Sequence, residues 1–578
     1  MSVKNDLAIE IGALLDKNID HNPDYFGAIK QVIAAGDISA EVQQRYQDDL
    51  YKKVYQEILY NSGKPSGKVS FGTSGWRGIL GKDLFCKSVV QVVSAIVEMY
   101  RGLSENETLT QSLGVKSIEE AKERGCVIGF DNRFCGETLA RVAVELLDRE
   151  GFTIFYAGES TTGALSAVVL QLDAAFSINF TPSHNPLEYG GLKFNAADAG
   201  PAASEITQYI TLKANQIIEQ ELLPSYFRLE DLPYGEMSER VKKIDAFSLW
   251  QKHVIENEAK HGLNYKEIIK SFSEKDDFSI AIDSVHGASR LHIGRFFNSI
   301  KSDRLDHVRN EADVTFGGVA PEPSSENLRV VKERLVNHEE KFKLGAIIDP
   351  DGDRIRFTDG SIEISMNQFG AMAYHFLHEH KNRKGLVAKT VATSNLANSV
   401  AEKLGEEVFE PPVGFKEFKP VIGKALVCFE ESDGISIIGH TPEKDAYIGL
   451  LLAIDMVITT GKNLGEYLHD IEEKYGYFYP DRDGVEVSLK GEELIQRLSQ
   501  LNKYAVGESI TVGTDRIKIT KVIDIDGRKM IFEDGSWLMI RPSGTEPKVR
   551  FYVESRTANG SVLLVESAKM LIAEIGVV

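Results

Sequence analysis

The most informative segment of this chain is Gly345-Ala-Ile-Ile-Asp-Pro-Asp-Gly-Asp-Arg354. Its first four residues are apolar and predict a short buried strand, and Asp349, Asp351 and Asp353 follow directly. In an extended loop alternate side chains share one face, so the three carboxylates can converge. All-oxygen, anionic ligands suit a hard cation such as Mg²⁺. The segment therefore predicts a strand that carries a metal site at its carboxyl end.

Other kinds of site also place acids at this spacing. A solvated acidic turn is common in acidic proteins, but the apolar residues on both sides of this loop disfavour it. An EF-hand is excluded because its sixth position needs Gly and its twelfth Glu, whereas this chain has Arg354 and Gly360 there. A haloacid-dehalogenase-type phosphatase matches the strand-D-x-D-G pattern but expects Thr or Ser at the position of Asp353. That phosphatase stays open as an alternative.

The same succession of apolar run, polar cluster and helix recurs at residues 126–133, 279–287 and 424–434. Continuous apolar strands that alternate with helices predict parallel sheets covered on both faces. In such sheets ligands bind at the carboxyl ends of the strands. Since each polar cluster lies at such an end, the sequence predicts one site built from several domains.

A second motif, Thr181-Pro-Ser-His-Asn-Pro186, follows the apolar run that ends at Ile178. Its two prolines fix the backbone and present Ser183 on a rigid loop. His184 cannot serve its own neighbour as a triad base, because the geometry is wrong. Near a Mg²⁺ site, Ser183 fits a phosphoryl carrier, and a capped turn is the equally weighted alternative.

Three further segments suit a phosphorylated sugar. The turn Arg541-Pro-Ser-Gly-Thr-Glu-Pro-Lys548 offers hydroxyls, backbone N–H groups and an Arg to a phosphate, with Arg550 close by. Glu430-Glu-Ser432 combines carboxylate and hydroxyl as sugar hydroxyls require, and the glycine-rich Phe71–Gly78 lets the backbone and Arg77 approach an anion. A hairpin, an ordinary loop and a plain turn are the respective structural alternatives.

The length and amino-acid composition exclude several classes of protein. The chain has 578 residues, too many for one hydrophobic core, with 42% hydrophobic and 26% charged residues. These values exclude collagen-like and disordered classes. With 66 basic and 86 acidic residues the net charge is −20, which predicts no nucleic-acid or membrane partner.

The location is predicted to be the cytoplasm. The four cysteines are scattered, without a C-x-x-C pair, as in a reducing compartment. No apolar run is long enough to span a membrane, since Asp455 interrupts the best candidate at Ile448–Thr460. The N-terminus meets acidic residues before a signal peptide could form.

The predicted organisation is a helical extension followed by four domains. Val42, Tyr46, Leu50, Val54 and Ile58 are spaced four apart and predict an amphipathic helix. The last hundred residues alternate polar and apolar positions and predict a smaller α+β domain. The predicted units are residues 1–65, 66–235, 236–358, 359–474 and 475–578.

Taken together and in this order, the five motifs resemble those of the α-D-phosphohexomutase superfamily, the phosphoglucomutases and phosphomannomutases. The resemblance spans about residues 70–556. It implies an α/β fold of four domains around a central cleft, the first three of related α/β topology and the last α+β. It also implies an intramolecular phosphotransferase with Mg²⁺ as cofactor and glucose 1,6-bisphosphate as activator.

The resemblance implies roles for individual residues. Ser183 would be the phosphoserine and would ligate Mg²⁺ together with Asp349, Asp351 and Asp353. Proton transfer and charge stabilisation would fall to Arg77, His184, Lys193 and Lys444. Sugar hydroxyls would be held by Glu430 and Ser432. The remaining substrate-binding candidates are Thr73, Ser74, Arg354, Gly414, Arg541, Ser543, Gly544, Thr545 and Arg550.

The reaction expected from the resemblance interconverts hexose 1-phosphate and hexose 6-phosphate through a bisphosphorylated sugar. Glu430-Glu-Ser resembles glucose-type loops, so glucose is favoured over mannose or a pentose. Phe429 and Asp433 depart from the family pattern around this loop, and Thr162-Gly163 replaces a Thr-Pro. A silent sugar-phosphate-binding paralogue is the alternative of another class. The expected partner is a small sugar phosphate, in a monomer or homodimer.

Overall fold

A computed structural model describes residues 23–36, 38–72, 75–228, 237–489, 491–543 and 548–577. Four predicted substrate-binding residues, Thr73, Ser74, Gly544 and Thr545, lie outside these ranges, as do residues 1–22 of the predicted N-terminal extension.

Two helices precede the first sheet, α1 (Tyr25–Ala34) and α2 (Ala40–Tyr60). Both begin at a polar cap: the side chains of Asp24 and Ser39 accept hydrogen bonds from backbone N–H groups three residues on. The predicted amphipathic helix is confirmed as α2, whose buried side includes Leu50, Val54 and Ile58. These side chains join the core of the first α/β unit.

The first α/β unit contains a sheet of seven strands in the order β1-β2-β6-β5-β3-β4-β7. Its strands are β1 (Phe71–Gly72), β2 (Gly75–Ile79), β3 (Cys126–Phe130), β4 (Ile154–Glu159), β5 (Phe176–Phe180), β6 (Tyr189–Asn195) and β7 (Val241–Lys243). Its helices are α3 (Cys86–Arg101), α4 (Glu107–Leu113), α5 (Ile118–Arg124), α6 (Gly136–Arg149), α7 (Thr162–Leu172) and α8 (Ser204–Glu219). Because β7 pairs with β4, this sheet continues past residue 235, where the sequence predicted a boundary.

Both faces of this sheet are covered, as the apolar runs predicted. Along β3, Val127 packs into a core shared with α7, whereas Cys126 and Ile128 pack into the opposite core with α6. The alternation of side chains along a strand produces this division.

The second and third units repeat the pattern with smaller sheets, ordered β12-β11-β10-β8-β9 and β14-β13-β15-β16. The second unit contains β8 (Phe278–Asp283), β9 (Leu305–Val308), β10 (Phe342–Ile348), β11 (Ile355–Thr358), β12 (Glu363–Ile364), α9 (Ala246–Glu256), α10 (Glu258–His261), α11 (Tyr265–Glu274), α12 (Ile293–Phe296) and α13 (Ser325–Val336). The third contains β13 (Val387–Lys389), β14 (Val408–Phe409), β15 (Val427–Glu430), β16 (Gly434–Ile437), α14 (Met366–Glu379), α15 (Leu396–Leu404), α16 (Ala446–Thr460) and α17 (Leu464–Tyr475).

All three sheets are mixed, which corrects the prediction of purely parallel sheets. In each, an antiparallel strand returns directly from a loop at the carboxyl end of a parallel strand: β6 from β5, β11 from β10 and β16 from β15. The three loops carry the Ser183 motif, the three acids and the Glu430 motif. The polar clusters are therefore connections between paired strands, held at both ends.

The C-terminal unit is the predicted α+β domain. Its strands are β17 (Tyr479–Glu486), β18 (Ser509–Val512), β19 (Asp515–Ile523), β20 (Arg528–Phe532), β21 (Trp537–Pro542) and β22 (Lys548–Ser555), all antiparallel to their neighbours. Its helices are α18 (Gly491–Leu498) and α19 (Ala558–Glu574). A small apolar cluster around Trp537 and Val391 joins it to the third unit.

Among the described helices, no single one is both long and apolar enough to span a membrane. The bent pair α16 and α17 meets the length and composition criterion only jointly.

Candidate active site

Ser183 lies in the connection from β5 to β6 and is almost completely buried. Its backbone has a φ of 59°, a left-handed conformation that costs a non-glycine residue roughly 1–2 kcal/mol. Its N–H donates to Thr181 Oγ1 at 2.9 Å, and the Thr181 hydroxyl donates to Asp131 Oδ2 at 2.6 Å. A buried hydrogen-bond chain thus holds the serine in this conformation.

Arg133 clamps the same loop from the end of β3. Its guanidinium donates to the backbone oxygens of Ser183 and Pro186 at 2.6 and 2.7 Å, and also to that of Asn185. The guanidinium carbon stands 4.5 Å from the centre of the Phe316 ring. The side chain is 3% exposed, so it binds the loop as a buried, fully oriented cation.

Helices α1 and α2 pack against the residues that hold the serine loop in place. The Tyr51 ring of α2 contacts the ring of Phe134 at 4.5 Å between centroids, and Lys30 of α1 pairs with Glu188 at 2.7 Å. Phe316, from the second unit, packs into the same core as α1 and α2. The extension therefore contacts both the serine loop and the loop of the second unit that covers Arg133.

The three acids predicted to bind a metal are buried together at the end of β10. One oxygen from each of Asp349, Asp351 and Asp353 lies within 4.8 Å of the others. The Ser183 hydroxyl donates to Asp349 Oδ2 at 2.8 Å. Gly352 turns the loop with a φ of 65°. The structure thus brings together the four predicted ligands from two separate units.

The donor set fits a hard cation. Within the described residues, Asp351 Oδ1 and Asp353 Oδ1 are buried and have no hydrogen-bond partner. Burial and the charges of Asp351 and Asp353 raise the pKa of Asp349 well above its usual value. Unpartnered buried carboxylate oxygens are costly, and an oxygen-binding divalent cation would satisfy them.

Two lysines flank the acids. Lys193, on β6, donates to Asp351 Oδ2 and Asp353 Oδ2, each at 2.6 Å. Burial opposes its charge, but the two carboxylates outweigh this effect and raise the pKa of Lys193. Lys444 Nζ lies 3.4 Å from Asp353 Oδ2 and 3.7 Å from Glu430 Oε1, so it connects the acids with the predicted sugar loop.

His184, Arg77 and Arg354 stand on the serine side of the cluster. His184 Nδ1 lies 3.3 Å from Ser183 Oγ. Burial, then the charges of Arg354 and Arg77, lower the pKa of His184 well below its usual value. Arg354 Nε is 3.8 Å from Asp353 Oδ1. The Arg77 and Arg354 guanidiniums bring positive charge to the serine side of the three carboxylates, as transfer of an anionic group requires, and the lowered pKa keeps His184 neutral.

The predicted sugar loop is the short connection between β15 and β16. Glu430 is buried, and burial raises its pKa although Lys444 opposes the change. Ser432 is partly exposed in the same turn. Gly414 precedes the turn of Phe415, whose ring centre lies 5.5 Å from Lys444 Nζ. Glu430 and the residue after Gly414 thus both contact Lys444.

Three predicted phosphate-binding residues belong to the C-terminal sheet rather than to the acid cluster. Arg541 and Arg550 face each other across β21 and β22, and the Ser543 N–H donates to the Lys548 carbonyl at 2.8 Å. A cavity of about 350 Å³ adjoins this sheet, and its lining includes Arg354, the sugar loop, Arg482 and Tyr552. The second, third and C-terminal units therefore share one cleft.

Comparison with known proteins identifies this architecture. Four models of the phosphoglucomutase/phosphomannomutase family match in order: the α/β/α domains I, II and III at residues 68–221, 260–361 and 365–475, and the C-terminal domain at 491–560. The chain belongs to the phosphoglucomutase/phosphomannomutase family. The predicted resemblance and the predicted four-domain fold are confirmed, and the protein is an isomerase of the phosphohexomutase superfamily.

Individual relatives of this family carry different substrate names. Phosphoglucomutase 1 of Drosophila melanogaster is 26% identical over 474 residues, which cover 74% of this chain and 83% of the relative. A phosphoglucosamine/phosphogalactosamine mutase of Sulfurisphaera tokodaii is 23% identical and covers 87% and 98%. The crystal structure of a putative phosphomannomutase from Thermus thermophilus superposes with a TM-score of 0.68 at 25% identity, covering 88% of this chain and 100% of that one.

The departures from the phosphoglucomutase/phosphomannomutase pattern have local explanations. Phe429 packs its ring against Gly370, where a Cβ would lie 2.1 Å from the ring. At Gly163, the second departure noted in the sequence, a Cβ would lie 2.5 Å from Asp445 Cγ. Asp433 binds the Arg356 guanidinium at 2.8 Å and so fixes the end of the sugar loop.

Several site residues were missed by sequence reasoning. The Thr162 hydroxyl donates to Asp351 Oδ2 at 2.7 Å and accepts a hydrogen bond from Asn179 at 2.9 Å. Asn195 donates to Glu443 Oε2 at 3.2 Å. Each is a single polar residue within or beside an apolar element, so the local sequence did not assign it a role in the site. The position of Thr162 directly after β4, at the start of α7, was the one available indication.

Proposed function

We propose that this protein interconverts hexose 1-phosphate and hexose 6-phosphate, with glucose as the preferred sugar, through a phosphoserine at Ser183. The observation that carries the proposal is the buried contact between the Ser183 hydroxyl and Asp349, inside a group of three carboxylates and between Lys193 and His184. A phosphoryl carrier needs a fixed oxygen, a surrounding positive charge and exclusion of water.

The reaction then has two transfers. In the first, the bond between Ser183 Oγ and phosphorus breaks, a sugar hydroxyl oxygen bonds to phosphorus, and the hydroxyl proton leaves to a neighbouring base. The departing Ser183 Oγ takes up a proton. After the bisphosphorylated sugar turns over, the bond between its other phosphorus and the sugar oxygen breaks and that phosphorus bonds to Ser183 Oγ. The serine proton passes through a neighbouring base to the released sugar oxygen. His184 Nδ1 lies 3.3 Å from Ser183 Oγ, and His184, Lys193, Lys444 and Arg77 would serve proton transfer and charge stabilisation.

We propose Mg²⁺ as the resident cation, held by Asp349, Asp351, Asp353 and the serine. The unpartnered oxygens of Asp351 and Asp353 support this assignment. When bound, the cation neutralises phosphate charge during transfer. Glucose 1,6-bisphosphate would act as activator, because loss of the intermediate leaves Ser183 unphosphorylated and the bisphosphate restores it.

The two ends of the substrate would be held separately. Glu430 and Ser432 would bind sugar hydroxyls, and Arg541, Ser543 and Arg550 would bind the phosphate that is not reacting. The cavity lined by Glu431 and Asp433, which neighbour the sugar-binding residues, and by Tyr552, which lies in the strand of Arg550, supports this division. Roles for Thr73, Ser74, Gly544 and Thr545, a cytoplasmic location and a monomeric or homodimeric state stay predictions.

A coupled assay tests the proposal, run with Mg²⁺, catalytic glucose 1,6-bisphosphate and the 1-phosphates of glucose, mannose, glucosamine and ribose. We expect fastest turnover with glucose 1-phosphate and no turnover in Ser183→Ala. Ser561→Ala is the matched control, since Ser561 is also buried but lies in α19 and its hydroxyl has no partner within the described residues. Release of inorganic phosphate by Ser183→Ala would instead favour a phosphatase with Asp349 as nucleophile.

A further inference from the structure

A second cavity, of about 450 Å³, lies between the first, second and third units and away from the acid cluster. Its polar lining includes Gln171 in α7, His253 in α9, Asn257 directly after α9, Lys260 in α10, and His440 after β16. None of these residues belongs to the proposed phosphoryl-transfer site.

Two histidines of this cavity each have an unused nitrogen. His253 and His440 are 6% and 8% exposed, and their ring centres are 5.6 Å apart. Within the described part of the chain, His253 Nε2 and His440 Nδ1 are buried without a hydrogen-bond partner. Unsatisfied buried polar atoms are rare in native proteins and call for a ligand or an ordered water.

Neighbouring groups fix which nitrogen carries the hydrogen. His440 Nε2 lies 2.7 Å from Asp445 Oδ2, so it is the donor and Nδ1 is left as an acceptor. His253 Nδ1 faces the side-chain amides of Gln171 and Asn257, each at 3.5 Å, so Nδ1 accepts and Nε2 carries the hydrogen. One donor and one acceptor thus lie unpartnered on two neighbouring rings of the cavity lining, a pairing that a hydroxyl group satisfies.

The charge of the cavity favours an anion. Among the described residues that line it, Lys260 is the one with a formal charge, and no carboxylate is present. Gly439 admits the lysine stem, because a Cβ at Gly439 would lie 2.5 Å from Lys260 Cβ. Burial, then the neighbouring His440, His261 and Lys260, lower the pKa of His253 to about 3, so this ring is neutral and Lys260 supplies the positive charge of the lining.

We propose that this cavity is a second binding site for a small hydroxylated anion, of the polyol-phosphate class. Its hydroxyl would bridge His253 Nε2 and His440 Nδ1, and its anionic group would pair with Lys260. The volume is adequate for a molecule of that size.

This site would be coupled to the acid cluster through Asp445. That carboxylate accepts from His440 and from Trp250 Nε1 at 2.5 Å, and it caps α16 by accepting from the Tyr447 N–H at 2.8 Å. The preceding residue is Lys444, which contacts Asp353 and Glu430. A ligand on His440 would therefore act on the segment that positions Lys444.

Equilibrium dialysis with radiolabelled glycerol 3-phosphate tests the site. We expect Lys260→Gln to bind one equivalent fewer than the wild-type protein, or to bind that equivalent at least about tenfold more weakly, because a charged hydrogen bond is lost. Lys266→Gln removes an exposed charge outside the cavity and should bind like wild type. His253→Phe should reproduce the loss.

If wild type, Lys260→Gln and His253→Phe bound glycerol 3-phosphate identically, the proposal would be overturned, and the cavity would be a water-filled space. Equal binding of uncharged glycerol would also overturn it, because the anion would then be unnecessary. Arg541→Ala, in the proposed phosphate site, should keep the equivalent that depends on Lys260. The measurement requires no turnover, so its result is separate from that of the mutase assay.

Discussion

Replacing Arg133 with methionine tests whether the loop of Ser183 is held by a buried cation. Methionine keeps an unbranched stem of similar length and removes the guanidinium. The substitution deletes the bonds to the backbone oxygens of Ser183 and Pro186 at 2.6 and 2.7 Å, together with the contact on Phe316. It also leaves Asp131 without its nearest cation.

The expected loss of stability is large because the site is buried. Burial raises the pKa of Asp131 to about 7, and Arg133 opposes that rise. Without Arg133 the carboxyl will be protonated at neutral pH. The two lost hydrogen bonds from a charged donor, to the backbone oxygens of Ser183 and Pro186, are each worth about 1.5–3 kcal/mol and should together cost about 3–6 kcal/mol. A serine displaced by about an ångström should lower kcat about a hundredfold.

The assay is glucose 1-phosphate turnover alongside urea unfolding, with Arg124→Met as control. Arg124 also donates to three backbone oxygens of the first unit, those of Asp173, Gly114 and Ala174. It is 19% exposed against 3% for Arg133 and lies away from the serine. The control should lose about 1–2 kcal/mol and keep its kcat. A folded Arg133→Met protein with the wild-type kcat would refute the reasoning.

Three further substitutions test packing and charge elsewhere. At Gly352 the φ is 65°, and a Cβ would lie only 2.5 Å from a threonine side chain, whereas Gly461 has a similar φ and open space around it. Gly352→Ala should therefore destabilise the protein by about 1–3 kcal/mol more than Gly461→Ala. Equal urea midpoints of the two variants would contradict this. Gly370→Ala should lower the free energy of unfolding by about 1–3 kcal/mol, because the new methyl group overlaps the Phe429 ring. Phe429→Leu should restore part of this loss in a double-mutant cycle, and additive effects of the two changes would contradict the explanation. Burial, then the charge of a neighbouring lysine, lower the pKa of Lys529 from 10.5 to about 8. Between about pH 8 and pH 10.5 the unfolded chain therefore binds more protons than the folded chain. The free energy of unfolding should accordingly rise by about 3 kcal/mol as the pH increases across this range. Urea unfolding at both ends of the range should show this rise in wild type and a smaller one in Lys529→Met, and equal rises would contradict the assignment.

Much of the site could be predicted because its residues lie in compact motifs. The meeting of Ser183 with Asp349 followed from two polar clusters that each come after an apolar strand. The helix of residues 40–60 followed from its spacing of four. These features are local, and the physics that creates them acts within a few residues.

Other features depend on contacts that no local pattern records. The direction of β11 could not be predicted, because a four-residue apolar strand has the same composition whether it runs parallel or antiparallel. Thr162 and the pair His253 and His440 gain their importance from residues far along the chain. The double contact of Lys193 with two acids likewise depends on its position opposite Asn179 in the pairing of β5 with β6.

The antiparallel return strands have a consequence for how this chain tolerates insertions and deletions. Each of the three loops that carry site residues connects two strands that pair with each other, for example through Ile348 and Ile355 or through Glu430 and Gly434. One added residue must either bulge out of the loop or shift the register of a strand. A register shift of one residue turns every side chain of that strand to the opposite face of the sheet. Length changes should therefore accumulate at the amino-terminal ends of the parallel strands, while the three loops at the cleft keep a constant length even where their side chains diverge.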